Sequence, residues 1–109
     1  NDITPENIPL LQILDAIRYI KRIPDTDIAT ACQRFLILLK DLTAKEKSAI
    51  VRLSLKYPPS TRALLGALLE EIQETNLTEG LYQSLNPITK YKLTGATKVL
   101  SVTSKWNIV

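Results

Sequence analysis

The sequence predicts a mainly α fold: a bundle of four to five short helices with a C-terminal extended segment or small β-ribbon packed on it. Three observations predict this architecture. Four segments carry apolar residues at helical spacing, capping residues or prolines mark their ends, and the pattern changes after Asn86-Pro87. The chain has 109 residues, the usual length of one domain. Residues 1–85 are therefore expected to form a helical core and residues 86–109 a basic extended tail.

The first predicted helix starts near Pro9, because a proline suits the first helical turn, and Asn7 is its expected cap. It stops before Pro24, since the residue that precedes a proline is pushed out of the helical region. Its apolar residues fall on one side of the helix and are Leu10, Leu11, Ile13, Leu14, Ile17 and Ile20.

The second predicted helix begins with Asp25 or Thr26 as its cap and runs to about Leu42. Its apolar face is wide, which predicts that this helix is the central and most buried one of the bundle. Leu36 is accordingly expected in the core. The whole face comprises Ile28, Ala31, Cys32, Phe35, Leu36, Leu38 and Leu39.

A third helix is predicted to begin at Thr43, because Thr43 and Glu46 have the capping-box spacing, in which each side chain bonds the backbone of the other. Prolines 58 and 59 end it. A fourth helix is expected from Ser60 to about Glu74, and residues 78–85 are compatible with a short fifth one. The core residues of the third and fourth helices are expected to be Ile50, Val51, Leu53, Leu55, Leu64, Leu65, Leu68, Leu69 and Ile72.

The tail differs from the helical core in pattern and in charge. Residues 91–93 and 105–109 are typical of short strands, with Gly95 at a turn between them. Two strands this short are unstable alone and must pack on the helices. Residues 1–85 carry ten Lys/Arg against eleven Asp/Glu, a net charge of −1, whereas residues 86–109 carry four lysines and no acid, a net charge of +4. Such a tail suits an acidic partner or nucleic acid, or simple solvation.

Two interpretations of the tail's aromatic and basic residues stay open. Aromatic rings between lysines can stack on bases while the lysines meet phosphates. The same aromatics can instead pin an extended segment onto a helical core. Because the tail has only two large aromatics of this kind, packing is favoured over base stacking. The candidate contact residues are Lys90, Tyr91, Lys92, Lys105 and Trp106.

The composition argues against catalysis. The chain has no histidine, which removes the commonest general base, and with Cys32 as its one cysteine it lacks the ligands for a zinc site. Cys32 lies in an apolar helix face and is expected to be a buried, unreactive thiol. The three glycines form neither a phosphate loop nor a dinucleotide fingerprint, and Glu70, Glu71 and Glu74 are interpreted as a solvated face. No enzymatic activity, cofactor or metal is therefore expected.

A candidate anion or partner contact lies where the fourth helix begins. Two prolines stiffen the link, and the unpaired N–H groups of a helix start can hold a phosphate or carboxylate. Hydroxyl groups and positive charges nearby would assist such binding. The alternative is an ordinary helix start with exposed charges. Within this helix, Gly66 predicts the close approach of another helix. The candidate residues are Lys56, Ser60, Thr61 and Arg62.

Three stretches resemble a known family. They are LLQILDAIRYIKRIPD at residues 10–25, YPPSTRALLGALLE at residues 57–70, and SLNPITKYKL at residues 84–93 with KWNI at residues 105–108. Together they resemble the C-terminal domain of antitoxin-like proteins from type IV abortive-infection toxin–antitoxin systems of bacteria. The resemblance implies a transcriptional regulator with an N-terminal winged-helix DNA-binding domain. It also implies a nucleotidyltransferase-like toxin that the antitoxin opposes.

The expected function is therefore non-catalytic protein interaction, with the cognate toxin or an N-terminal DNA-binding domain as the partner. The resemblance implies DNA contact through a preceding part of the protein. The sequence has no methionine and is expected to be the C-terminal part of a longer chain. The alternatives are a nucleic-acid-binding accessory domain that acts through its basic tail, and a purely structural domain. No stretch of 18 apolar residues predicts membrane insertion, and an unpaired cysteine fits a reducing cytoplasm.

Overall fold

Five α-helices form the body of the molecule in residues 3–109, which the computed structural model describes. In chain order they are α1 (Ile8–Arg18), α2 (Ile28–Lys40), α3 (Ala44–Ser54), α4 (Pro59–Glu71) and α5 (Thr75–Gln83). A single 3₁₀ turn, Ile20–Arg22, follows α1. A second one, Ala96–Lys98, lies within the tail. The predicted mainly helical fold is confirmed. Within the described residues, no helix is both long and apolar enough to cross a membrane.

The capping box at the start of α3 is confirmed atom by atom. The Thr43 hydroxyl accepts from the Glu46 N–H at 3.1 Å, and the Thr43 N–H donates to Glu46 Oε1 at 2.8 Å. The predicted cap of α2 is wrong. Asp27, not Asp25 or Thr26, accepts the Thr30 N–H at 2.7 Å, because Thr26 instead donates its hydroxyl to the Pro24 carbonyl and Asp25 is in the left-handed region at φ 55°.

Several other helix ends also differ from the predicted ones. Asn7 occupies the cap position of α1, but its side chain makes no capping hydrogen bond because its backbone is already helical, at φ −88° and ψ −18°. The end of α4 is Glu71 rather than Glu74, since Gln73 adopts φ 68°. The fifth helix begins at Thr75, three residues before its predicted start. Leu55, predicted in the core, is 51% exposed beyond the end of α3.

The central helix is α4, not α2. Eight residues of α4 are buried, against four of α2, and α4 packs against all four other helices. The prediction placed Leu36, Leu38 and Leu39 on one face, but neighbouring helical residues point in different directions and cannot all face the core. Leu36 is half-buried and Leu38 is 47% exposed. In α4 the small residues Ala63, Gly66 and Ala67 let neighbours approach from several sides.

The tail folds back onto the helices and pairs with itself in parallel. Tyr91 donates its N–H to the Asn107 carbonyl at 2.7 Å and accepts the Val109 N–H at 2.8 Å, which makes a parallel bridge between Tyr91 and Ile108. The predicted extended segments therefore do meet, as a single bridge. The chain turns away after the first segment through Gly95, whose φ of 102° suits glycine, and then returns in the same direction.

The tail is pinned by Trp106, which is 1% exposed. Its indole lies on the backbone of Gly66 in α4, where a Cβ would overlap the ring. Gly66 was predicted to admit another helix, and the structure corrects this because the tail tryptophan occupies that space. Tyr91, Leu93, Leu100 and Ile108 are also buried. The expectation that the tail is a packed cover is confirmed.

Candidate functional site

A groove of about 450 Å³ opens between the end of α1, the 3₁₀ turn after it, the start of α4 and the tail segment at residues 90–93. Its apolar lining comes from Ile17, Ile20, Leu64 and Leu93, which are all buried in the core. Its charged lining comes from Arg18, Lys21, Arg22, Lys90 and Lys92. The groove thus brings together cations from opposite ends of the chain.

Local backbone geometry turns these cations towards solvent. After Arg18 the chain leaves the α-helix at Tyr19, with φ −103° and ψ 30°, and enters the 3₁₀ turn. Ile20 stays buried in this turn while Lys21 and Arg22 are exposed. In the tail, the extended backbone around Tyr91 alternates its side chains between two faces. Tyr91 is therefore buried while both of its lysine neighbours are exposed.

The charged side chains that line the groove are all positive. None of its lining residues is acidic, and in the described part of the chain none of its five cations forms an ion pair. The cations engaged in ion pairs lie elsewhere: Lys47 meets Glu74 at 3.3 Å, and Lys105 meets Glu70. A concave surface lined by one sign of charge focuses the field and attracts anions. The arrangement therefore suits an anionic ligand.

Tyr19 adds an aromatic ring to this basic groove and is 45% exposed. The Cζ atoms of Arg18 and Arg22 lie 5.3 and 5.9 Å from its ring centroid, within the range of cation–π attraction.

Nearby, the Tyr57 hydroxyl donates to Asp15 Oδ1 at 2.8 Å. Burial, followed by this bond to a carboxylate, raises the pKa of Tyr57 to about 12. Asp15 thus already accepts a hydrogen bond from Tyr57.

The structure separates the four predicted anion contacts. Ser60 is exposed in the basic groove, whereas Thr61 is 2% exposed and faces the core. The Arg62 guanidinium turns away and donates to the Tyr57 carbonyl at 3.1 Å and to the Ser84 carbonyl and hydroxyl at 3.1 and 2.8 Å. Lys56 is exposed beyond α3 and has an interaction of its own. These residues are not assembled around one site.

The start of α4 also has fewer free donors than a usual helix start. Pro58 is the cap and Pro59 the first residue, and neither has an N–H group. The Thr61 N–H bonds the Pro58 carbonyl at 3.0 Å, which leaves the Ser60 N–H. The prolines that fix this helix start therefore remove most of its capacity to bind an anion through the backbone.

The five predicted tail contacts divide into two groups. Lys90 and Lys92 lie in the basic groove. Tyr91 and Trp106 are buried, at 8% and 1% exposure, and so cannot stack on a base. Lys105 is held by Glu70, and its ammonium group lies 5.2 Å from the ring centroid of Tyr82. Among the predicted tail contacts, only the first two lysines are both free and in the groove.

A second, more apolar cavity of about 280 Å³ lies beside the buried aromatic residues of the tail. Tyr82 packs edge-on against Trp106, with ring centroids 5.3 Å apart and an angle of 87° between the planes. The indole Nε1 of Trp106 and the hydroxyl of Tyr91 are buried without a hydrogen-bond partner among the described residues. These two orphan groups offset part of the stability that the packed rings contribute.

No protein-family model, curated protein or solved structure matches this chain. The function of the groove is therefore inferred from the chemistry of its own residues.

Burial raises the pKa of the Cys32 thiol to about 11, which suppresses the nucleophilic thiolate at neutral pH. In residues 3–109 there is no cluster of three or more Cys, Asp or Glu side chains able to hold a metal ion.

Sequence reasoning missed three of the five groove cations. Arg18, Lys21 and Arg22 are absent from the residues predicted to contact a partner. A signal was present, since three cations and a tyrosine occur within RYIKR at residues 18–22. The net charge of residues 1–85 conceals this local excess, because acids on other surfaces cancel it.

Proposed function

We propose that this domain is a non-catalytic binding domain and that its groove holds the phosphate backbone of a nucleic acid. The proposal is supported by five cations that surround one groove without an acidic residue and form no ion pair within the described residues: Arg18, Lys21, Arg22, Lys90 and Lys92. Backbone phosphates are contacted mainly by arginine and lysine, and these contacts supply most of the affinity that is independent of sequence. A groove of this kind needs no catalytic residue to function.

A structural role for the charges explains only part of the arrangement. A cation in the last turn of a helix interacts favourably with the helix dipole, which accounts for Arg18 at the end of α1. It does not account for Lys90 and Lys92, which come from the tail. Placing five like charges around one concavity costs electrostatic repulsion, and an anionic partner would relieve it.

Fluorescence anisotropy with a labelled oligonucleotide over a range of salt concentrations tests the proposal. We expect the double variant Lys90→Ala/Lys92→Ala to weaken binding. It should also reduce the log–log salt slope by about 0.7 to 0.9 for each phosphate that is no longer neutralised. The matched control is Lys40→Ala/Lys45→Ala, which removes the same charge from exposed positions outside the groove. If the control variant loses as much affinity as the groove variant, attraction depends on net charge alone and the proposed site is wrong.

A second candidate function is protein interaction of the antitoxin type, which the family resemblance implies. The supporting observation lies on α2, where the neighbouring residues Ile37 and Leu38 are 64% and 47% exposed. Large apolar side chains left exposed on a helix are candidates for a protein contact. Titration calorimetry with a nucleotidyltransferase-like toxin encoded by a neighbouring gene tests this function. The heat of binding should disappear in Ile37→Glu and persist in Lys90→Ala/Lys92→Ala.

A further inference from the structure

The shape of the basic groove bears on which kind of nucleic acid it takes. Proteins that read a DNA duplex insert a protruding helix or β-ribbon into the major groove. Here the cations line a concavity between elements instead of a projecting helix face. A concave basic channel that tracks the backbone is typical of proteins that bind single strands.

Tyr19 places an aromatic ring in the basic groove. This ring is 45% exposed within the groove and lies in the chain between Arg18 and Arg22. Exposed aromatic rings in a basic channel stack on bases, and arginine planes can extend the stacking surface. A base can stack in this way only where it is unpaired and splayed out from its strand. In a duplex each base face is already covered by its neighbours.

Resting on the proposed function, we infer that the groove binds single-stranded nucleic acid and that Tyr19 stacks on one of its bases. The Cζ atoms of Arg18 in α1 and Arg22 in the 3₁₀ turn lie 5.3 and 5.9 Å from its ring centroid, close enough for cation–π attraction. Lys90 and Lys92 contact the phosphates on the tail side of the groove. The buried residues Ile20 and Tyr91 anchor the two walls to the core.

The probes are labelled thymidine and uridine oligonucleotides of about 12 nucleotides, a length within the usual site size of single-strand binders, and a thymidine–adenine duplex of the same length. We expect the intact domain to bind the single strands more tightly than the duplex. Removal of one base–aromatic stack corresponds to about a 5- to 150-fold weakening. Tyr19→Ala should show that weakening on the single strands, with the duplex affinity and the salt slope unchanged. The two single-stranded probes distinguish DNA from RNA.

Tyr19→Phe is the matched variant, because it keeps the ring and should retain single-strand affinity. Thermal unfolding of Tyr19→Ala checks that the groove remains folded. Equal binding of single strands and duplex by the intact domain overturns this inference, and so does an equal loss of affinity for both kinds of probe in Tyr19→Ala. In those two outcomes the domain still binds nucleic acid, so the proposed function survives. Failure of the intact domain to bind any of the probes overturns both.

Discussion

The indole ring of Trp106 lies so close to the backbone of Gly66 that a Cβ at position 66 would overlap the ring carbons Cη2, Cζ3 and Cζ2. The two residues join the last turn of the tail to the middle of α4. Trp106 is 1% exposed and Gly66 is buried. Absence of a side chain at Gly66 is therefore what allows the tail to close over the helical core.

Gly66→Ala should destabilise the domain although alanine favours a helix by about 1 kcal/mol. The added methyl group forces the rigid Trp106 ring or the α4 backbone to shift, and overpacking of this kind costs about 1–3 kcal/mol. Gly80→Ala is the matched control, because Gly80 lies within α5 and a Cβ there meets nothing within 4 Å. Urea unfolding should show a loss of stability for Gly66→Ala and a gain for Gly80→Ala, and a gain for both would contradict the close packing.

Local signals in the sequence predict the helices, but not their arrangement. Thr43 and Glu46 form a capping box within four residues, and the prolines at 58 and 59 stop one helix and start the next. Both signals act through neighbouring backbone atoms, so no tertiary knowledge is needed. The deeper burial of α4 than of α2 depends on which helix surfaces pack together. A composition rich in leucine does not specify this packing.

The residues that meet in the basic groove are likewise not predicted by local sequence signals. The arginines and the tail lysines line one groove because the tail, in which Tyr91 pairs with the backbone of residues 107 and 109, lies beside the end of α1. The parallel direction of that pairing requires the chain to turn away and return, which no periodicity predicts. The split between exposed lysines and buried aromatics within the tail could be anticipated, since it follows from strand alternation.

The difference in burial between α2 and α4 gives a direct comparison of two leucines. Leu65→Ala should cost about 2–5 kcal/mol, because Leu65 is fully buried in the central helix. Leu36→Ala should cost less, about 1 kcal/mol, because Leu36 is only half-buried. Chemical denaturation of both variants measures this order, and a larger loss of stability at Leu36 would mean that α2 is the central helix after all.

Trp106→Ala should cost about 3–5 kcal/mol, the range for removal of a large buried aromatic. The ring packs on Gly66 and against Tyr82, and its removal leaves a large cavity beneath the tail. Because Trp106 is the one tryptophan of the chain, its fluorescence reports on the tail alone. Iodide should quench it weakly in the folded domain and strongly after unfolding, whereas full quenching before unfolding would show that the tail is open in solution.

The Cys32 thiol should resist alkylation in the folded domain and react after unfolding. It has no exposed surface, and burial raises its pKa from 9.0 to about 11. Since the unfolded chain releases this proton first, the contribution of Cys32 to stability is fully present below about pH 9 and is lost as the pH rises to about 11. Mass spectrometry after iodoacetamide treatment at about pH 8, where the unfolded thiol is already partly ionised, measures the difference with and without urea. Rapid native labelling would be inconsistent with the burial.

Arg62 links the start of α4 to the end of α5, because its guanidinium donates to the carbonyl of Tyr57 and to both oxygens of Ser84. Hydrogen bonds from a charged group contribute about 1.5–3 kcal/mol each where they are well shielded. Because Arg62 is only partly buried, we expect Arg62→Ala to cost about 1–3 kcal/mol in total. Oligonucleotide affinity should stay unchanged below the unfolding transition, since the guanidinium faces α5 and not the basic groove.

Ser60→Ala completes this comparison, because Ser60 lines the groove and is exposed. It should leave stability nearly unchanged and reduce oligonucleotide affinity at most slightly, because Ser60 carries no charge and a neutral hydroxyl can offer a ligand only one modest hydrogen bond. If Arg62 is a structural link, thermal unfolding shows a loss of stability for Arg62→Ala alone. Anisotropy then shows unchanged oligonucleotide affinity for Arg62→Ala. A loss of affinity in Arg62→Ala at full stability would instead place its guanidinium at an anion site, as its position at the start of α4 suggests from the sequence.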